Sequence, residues 1–294
     1  MQNEQNARLE FRRALDLVSD LFLLLAQSCS DDFFCPAIAG YSGAQMKAKF
    51  LAAVAAGVMS VTAFSAALAK DLNVGTHPVF APFEYMDTKT NQYKGFDIDM
   101  IREIARRSGY KVKFHNMGFD GLIPALLTGS IDIAVAGMTI TEARKQKVDF
   151  CDPYYQAGQS LMVRAESKNV YKDAKSLEGR TIAVQIGTTG ADFAKTIKGA
   201  NIKAFNTSAD AFLDLKMKGS DAVITDRPVI GYFVVSNPRA AKGLVQQPIV
   251  LDDEWFGFPV KKGNTKLLNE VNAALKAMKE DGTYAKLHKK WFGN

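Results

Sequence analysis

Between Ala136 and Tyr155 the chain reads AGMTITEARKQKVDFCDPYY. An apolar strand from Asp132 to Ala136 delivers Gly137, then Thr139 and Thr141, then a helical turn that carries Arg144. A strand end feeding a helix N-terminus offers free backbone N–H groups, and a guanidinium beside them completes a place for an anion. A guanidinium grips a carboxylate with two parallel hydrogen bonds, so it sets orientation as well as charge. Carboxylate capture is the chemistry this segment suggests. A capped surface helix, with Arg144 as solvated as Lys145 and Lys147, accounts for the same residues equally well.

A second group of residues stands at the ends of other apolar runs. Asp226 closes the run DAVITD, directly before Arg227-Pro228. An acid in that position is ordinarily a helix cap. Read with Arg144, it makes a different proposal: a cation and an anion facing one cleft are what an α-amino acid zwitterion needs. Phe80 and Phe119 are then placed to flank the aliphatic part of such a ligand, although each is also an ordinary core aromatic. Gly187-Thr188-Thr189-Gly190 forms a further loop, and His77 lies in the first one.

The elements that must position these residues alternate short apolar strands with amphipathic helices, which predicts an α/β architecture. Strands are expected at Leu72–Gly75, Lys111–His115 and Ile131–Ala136, with helices over Phe96–Arg107 and Gly121–Leu127. A continuous extended run, Tyr154 to Val163, then crosses to a second set of βα units. Its strands are Arg180–Gln185, Ile202–Phe205 and Asp221–Thr225. Asp252 to Val260 reads as the return strand, followed by a helix over Asn264–Lys279 and a short one over Tyr284–Trp291. Two half-domains with two crossings imply hinged lobes around a ligand cleft. The expected division is 70–156 plus 254–294 for lobe 1 and 157–253 for lobe 2. Ligands of open α/β sheets sit beyond the carboxyl ends of the strands, where the loops named above lie.

The chain has 294 residues, 47% of them hydrophobic and 23% charged, the balance of a folded soluble protein. Its net charge of +6 is spread along the sequence rather than gathered in a stripe, so nucleic-acid binding is not expected. Cys29, Cys35 and Cys151 lack metal-ligand spacing and make no disulfide framework. No metal, cofactor or catalytic residue is expected, and Cys151 reads as a small buried hydrophobe. From Met46 the sequence MKAKFLAAVAAGVMSVTAFSAALA has the positive start, short apolar core and small-x-small ending of a cleaved secretion signal over 46–69. Residues 1–45 form an upstream extension with no assigned role, read as not native. A periplasmic location in a Gram-negative cell follows.

Taken together, the motifs resemble a known family. APFEY (Ala81–Tyr85), GFDIDM (Gly95–Met100), FDGLIPAL (Phe119–Leu126), AGMTITEARKQKVDF, GTT at Gly187, DAVITD ending in Asp226, and GTYAKLHKKWFG are spread over both expected lobes. The whole chain after Lys70 resembles the polar amino acid-binding proteins of ABC importers, the bacterial extracellular solute-binding family 3, and is similar to the glutamine-binding proteins in particular. The resemblance implies a two-lobed periplasmic binding protein fold of type II, a monomer, and delivery of ligand to a membrane permease. It implies that Arg144, with the backbone at Thr139 and Thr189, holds the α-carboxylate. Asp226, the Gly137 carbonyl and the Thr139 hydroxyl hold the α-ammonium, and Phe80 and Phe119 flank the ligand. Three side-chain-reading positions depart from the glutamine-binding pattern: His77 replaces Asp, Gln185 replaces Lys and Thr225 replaces His. Glutamine or glutamate is the expected ligand, and the missing aspartate argues against lysine, arginine or histidine. The same fold also hosts periplasmic dehydratases of arogenate or prephenate type. That enzyme reading would need His77 or Glu84 as its acid or base.

Overall fold

β-Branched runs separated by amphipathic helices build two five-stranded sheets. The computed structural model describes residues 70–293. The expected signal segment 46–69 and the extension 1–45, with Cys29 and Cys35, lie outside the described residues. In the first sheet β1 (Lys70–Thr76) is central to β5 (Tyr110–Asn116) on one side and β6 (Ile133–Ala134) on the other, and both pairings are parallel. The sheet is completed by β15 (Pro259–Lys261), antiparallel to β6, and by β7 (Val148–Phe150), antiparallel to β15. A short antiparallel sheet of β2 (Val79–Phe80), β3 (Glu84–Asp87) and β4 (Gln92–Lys94) leads into helix α1 (Phe96–Arg107). Phe96, Ile101 and Ile104 on one face of α1 are fully buried, as the 3.6-residue period requires. Helix α2 (Leu122–Thr128) follows β5, and helix α3 (Glu142–Lys145) follows β6.

The second sheet has the order β11 (Asn201–Phe205), β10 (Thr181–Gln185), β12 (Ala222–Asp226), β9 (Gln159–Arg164), β13 (Leu244–Gln246). Its first three strands are parallel, with helix α4 (Thr189–Thr196) after β10 and helix α5 (Ser208–Lys216) after β11. Helix α6 (Arg227–Ser236) follows β12. Leu161, Val163, Ile182, Val184 and Ile224 fill one face as a cluster that water does not reach. Burying each such side chain contributes about 1.5–3 kcal/mol.

Two crossings join the sheets, and they pair with each other. β8 (Tyr155–Gln156) lies antiparallel to β14 (Trp255–Phe256), with Phe256 opposite Tyr155. Phe83 packs edge-on against both of those rings, 4.9 Å from Tyr155 and 5.1 Å from Phe256. It is wholly buried and belongs to this hinge rather than to a ligand loop. Helices α7 (Thr265–Glu280) and α8 (Thr283–Phe292) return to the first sheet, where Trp291 donates to Asp99 at 2.8 Å and Tyr284 to the Tyr154 carbonyl at 2.6 Å.

Two expected strands break where the sequence looked continuous. Tyr154–Val163 divides into β8 and β9 around Gly158, whose φ of +84° bends the chain from one sheet to the other. A Cβ there would stand 3.0 Å from Val250 and 3.3 Å from the Asp252 carbonyl, so a side chain fits neither the angle nor the space. Asp252–Val260 likewise divides into β14 and β15 at Gly257. Of the run Ile131–Ala136 only Ile133–Ala134 is regular strand, although the Asp132 and Val135 N–H groups also donate to the Asn73 and Gly75 carbonyls of β1, both at 2.8 Å.

Candidate functional site

Gly137 begins the segment at a φ of +52°, and its N–H donates to Asp97 Oδ2 at 2.9 Å. Asp97, buried on α1, also accepts from the Tyr154 hydroxyl at 2.6 Å, so the turn after β6 is anchored from below. Burial raises the Asp97 carboxyl to about 7, against the pull of those two donors. Phe80 closes over the turn: a Cβ on Gly137 would stand 3.0 Å from its ring. The next residues are tied to the second crossing. Ile140 N–H donates to the Trp255 carbonyl at 2.8 Å and Gly257 N–H to the Met138 carbonyl at 3.1 Å. Thr139 is thereby held at the junction of the first sheet and the hinge.

Arg144 is half-buried while Lys145 and Lys147 are exposed, so it is not one more solvated cation. Its Nη1 donates to the Thr139 carbonyl at 2.7 Å and its Nη2 to the Gly187 carbonyl at 3.1 Å, across the cleft. The guanidinium carbon lies 5.5 Å from the Phe119 ring centre, a cation–π arrangement. Burial lowers the Arg144 pKa, while Glu254, Asp192 and Asp226 oppose that change. The expected open helix N-terminus before it is absent. Thr141 caps the four-residue α3 by accepting from the Arg144 N–H at 3.2 Å. The helix start that faces the cleft is α4, where the Thr188 side chain accepts from Ala191 N–H at 3.2 Å.

Asp226 occupies the position of an N-cap before α6 but makes no side-chain cap bond. Of the two usual cap donors, Pro228 has no N–H to offer, and the carboxyl makes no bond to the Val229 N–H. It lines the cavity instead, 5% exposed. Burial drives its pKa well above the usual carboxylate range and Glu254 adds to the rise, with Arg144 opposing.

Phe80, Phe119, Gly137, Thr139 and Arg144 from one side, with Gln185, Thr188, Thr189 and Asp226 from the other, surround one nearly filled cavity of about 10 Å³. His77 and Thr225 do not line it directly. They join it through Gln185, whose Nε2 lies 3.4 Å from His77 Nδ1 and whose Oε1 accepts from Ser208 Oγ at 2.9 Å. Ser208 Oγ lies in turn 3.4 Å from Thr225 Oγ1. Since the amide nitrogen can only donate, His77 Nδ1 accepts and its proton sits on Nε2. Burial lowers the His77 pKa, against the pull of Asp120, so the imidazole is neutral at pH 7. This end of the cavity is a chain of uncharged hydrogen-bonding groups.

Sequence reasoning missed Gln159 and Glu254. Glu254 Oε2 accepts from Thr139 Oγ1 at 3.1 Å and from Gln159 Nε2 at 2.8 Å. The signal available was the last of three consecutive acids before the aromatic pair of the return strand, and in sequence it looks like the two exposed aspartates beside it. Asp120, read earlier only as part of FDGLIPAL, is the carboxylate that acts on His77. Glu84 is wholly buried with neither oxygen hydrogen-bonded, and burial holds its carboxyl well above the ordinary range. Cys151 is buried as expected, and burial raises its thiol to about 12. Among the described residues no cluster of His, Cys, Asp and Glu is arranged to hold a metal ion.

Two α/β lobes joined by paired crossings, with a polar cavity between them, define a class of proteins that capture small solutes by closing on them. Residues 72–294 match the bacterial extracellular solute-binding proteins, family 3, and the chain belongs to that family. Among its relatives, a probable histidine-binding protein of Neisseria gonorrhoeae is 34% identical over 227 residues, covering 76% of this chain and 83% of that protein. The ABC transporter glutamine-binding protein GlnH of Bacillus subtilis is 35% identical over 212 residues, 71% of this chain and 76% of that one. An ancestral arginine-binding protein, solved bound to arginine and also bound to glutamine, superposes with TM-scores of 0.72 and 0.71 at 43% identity, over 76% of this chain and 98% of that chain. The ancestral amino acid-binding protein AncCDT-1, a precursor of cyclohexadienyl dehydratase, superposes at 0.70 with 42% identity, over 76% and 95%.

Proposed function

We propose that the protein is the periplasmic solute-binding component of an ABC importer, that it captures a polar L-amino acid by lobe closure, and that the closed monomer delivers it to a membrane permease. The observation that carries this reading is a guanidinium and a buried carboxyl, Arg144 and Asp226, lining one cavity from opposite lobes. Arg144 and the backbone at Thr139 and Thr189 hold the α-carboxylate, displacing the guanidinium from its carbonyl partners. Asp226, the Gly137 carbonyl and the Thr139 hydroxyl hold the α-ammonium. Phe80 and Phe119 flank the aliphatic stem. In this reading lobe 1 is 70–156 with 254–294 and lobe 2 is 157–253.

The side chain of the ligand meets His77, Gln185 and Thr225. These groups carry no charge, which favours glutamine over glutamate: a buried carboxylate without a cation beside it is costly. A cationic ligand is the second reading. It is supported by the acids around the cavity, Asp226 and Glu254, which outnumber Arg144, and by the arginine and histidine named for similar proteins. A dehydratase is a weaker alternative, resting on neutral His77 beside Asp120 and on the likeness to a dehydratase precursor. A thermal-shift screen of the twenty amino acids, with arogenate and prephenate added, tests all three. A shift with glutamine supports the first reading, a shift with arginine or histidine alone the second, and turnover of either cyclic acid the third. No shift with any of them overturns the transport reading.

A further inference from the structure

Behind the backbone end of the cavity, where both crossings enter it, Thr139, Gln159, Thr189, Asp226 and Glu254 meet in one hydrogen-bonded group. Gln159 Nε2 is its centre: 2.8 Å from Glu254 Oε2, 3.1 Å from Thr189 Oγ1 and 3.4 Å from Asp226 Oδ1. Both carboxyl groups are buried, Asp226 at 5% and Glu254 at 6% exposure. One amide with two N–H groups thus serves three oxygens, two of them on carboxyl groups. It brings hydrogen bonds but no positive charge. Two carboxylates this close in a dry site cannot both ionise without a cation between them.

The charged groups around Asp226 do not supply that cation. Glu84, from the hairpin, adds a third buried acid and has Asp97 beside it. Tyr155 on the first crossing is neutral, and Arg227 acts on that tyrosine. Arg144 is engaged with the Thr139 and Gly187 carbonyls and is the partner of the ligand's carboxylate in the reading above. Asp192 acts on Arg144 as a further acid.

We infer that Asp226 in the uncombined protein carries a proton directed at the Glu254 carboxylate, and that the α-ammonium of the captured amino acid displaces it, so that one proton leaves for each ligand bound. The Asp226 O–H bond breaks, its proton passes to solvent, and the freed oxygen accepts an N–H of the ammonium. Charge at the ammonium end is conserved, because one positive charge replaces another, and the ligand's carboxylate places its negative charge beside Arg144. The raised pKa of buried Asp226 accords with this exchange. Glu254 touches no ligand and is a positioning residue. It accepts a hydrogen bond from the Thr139 hydroxyl at 3.1 Å, turning that oxygen's lone pairs toward the ammonium, and it adds to what burial does in holding the proton on Asp226 until a ligand arrives. Affinity then falls about tenfold per pH unit once the pH drops below the Asp226 value of the uncombined protein.

This inference rests on the amino-acid reading, and its test separates the two. The full-length chain is titrated calorimetrically at pH 7 with L-glutamine, L-arginine and L-histidine, each in phosphate and in Tris. The dependence of the heat on buffer ionisation gives the number of protons released. With L-glutamine or L-arginine, whose own groups stay ionised at pH 7, the wild type is expected to release about one proton per ligand, and Glu254→Gln, which still binds, no more than that. No proton released by the wild type on binding overturns the inference and leaves amino-acid capture standing. No binding heat from any of the three in the wild type overturns the amino-acid reading, and the inference with it. Should Glu254→Gln fail to fold, the wild-type affinity between roughly pH 5 and 8 decides: a flat profile contradicts proton release and a falling affinity in acid supports it.

Discussion

Arg144 donates to carbonyls on both sides of the cleft, while Asp226, unbonded to the helix start that follows it, accepts from Gln159 Nε2 at 3.4 Å. In the proposed reading both are thereby positioned for a zwitterion. Removing one partner of a buried charged pair costs about 3–5 kcal/mol. Arg144→Ala and Asp226→Ala are therefore each expected to weaken ligand binding by about a hundredfold or more, with an unchanged circular dichroism spectrum. Calorimetry showing either variant to bind normally would remove that residue from the site. In the proposed reading the uncharged side chains at the other end of the cavity set the preference. Gln185, 3% exposed between His77 and Ser208, is the position where one added charge should matter most. Gln185→Lys is expected to shift the ratio of glutamate to glutamine affinity by about tenfold or more toward glutamate, since each close charge pair is worth upwards of a kcal/mol in a partly buried site. An unchanged ratio would mean that the ligand's side chain does not reach Gln185.

Strands and helices were legible where periodicity speaks, and illegible where pairing partners decide. Helix α1 follows its pattern to the residue because Ile98, Ile101 and Ile104 recur at helical spacing on a local segment. The break between β8 and β9 has no such signal: Tyr155, Gln156, Leu161 and Met162 are all extended, and only the sheets they join differ. Gly158 marks the change, and a glycine in a strand run is ambiguous until its φ is known. Gly158→Ala is expected to destabilise the fold by about 1–3 kcal/mol through strain at positive φ. A urea melt with the wild-type midpoint would show that the hinge tolerates a side chain there. The candidate site followed the same division. Residues at the ends of clear strands, such as Gly137, Gln185 and Asp226, could be placed from the sequence. Glu254 could not, because its burial depends on β14 pairing with β8 from a distant part of the chain.

For the molecule as a whole, the buried acids under the cleft set how stability responds to pH. Asp97 titrates near 4 when unfolded and at about 7 in the fold. Between those values the native state binds more protons than the unfolded chain, so stability falls as pH rises. Its contribution is fully present below about pH 4 and lost as pH passes about 7. Glu84, shifted in the same direction, adds to that slope, whereas Asp87, Glu103 and Asp281, lowered to about 2, act oppositely and only in stronger acid. Asp97→Asn keeps an acceptor for Gly137 and Tyr154 and is expected to flatten the dependence between pH 4 and 7 in urea melts. A slope equal to wild type would place the titration elsewhere.

The central claim is that two lobes close on the zwitterionic end of one amino acid, with Arg144 and Asp226 as its two partners. A calorimetric titration of the full-length chain with L-glutamine, L-arginine and L-histidine, repeated on Arg144→Ala and Asp226→Ala, tests it most directly. The account predicts saturable binding at one site per chain for at least one of the three, lost in both variants. Heat from none of them, or a wild-type isotherm from either variant, would contradict it.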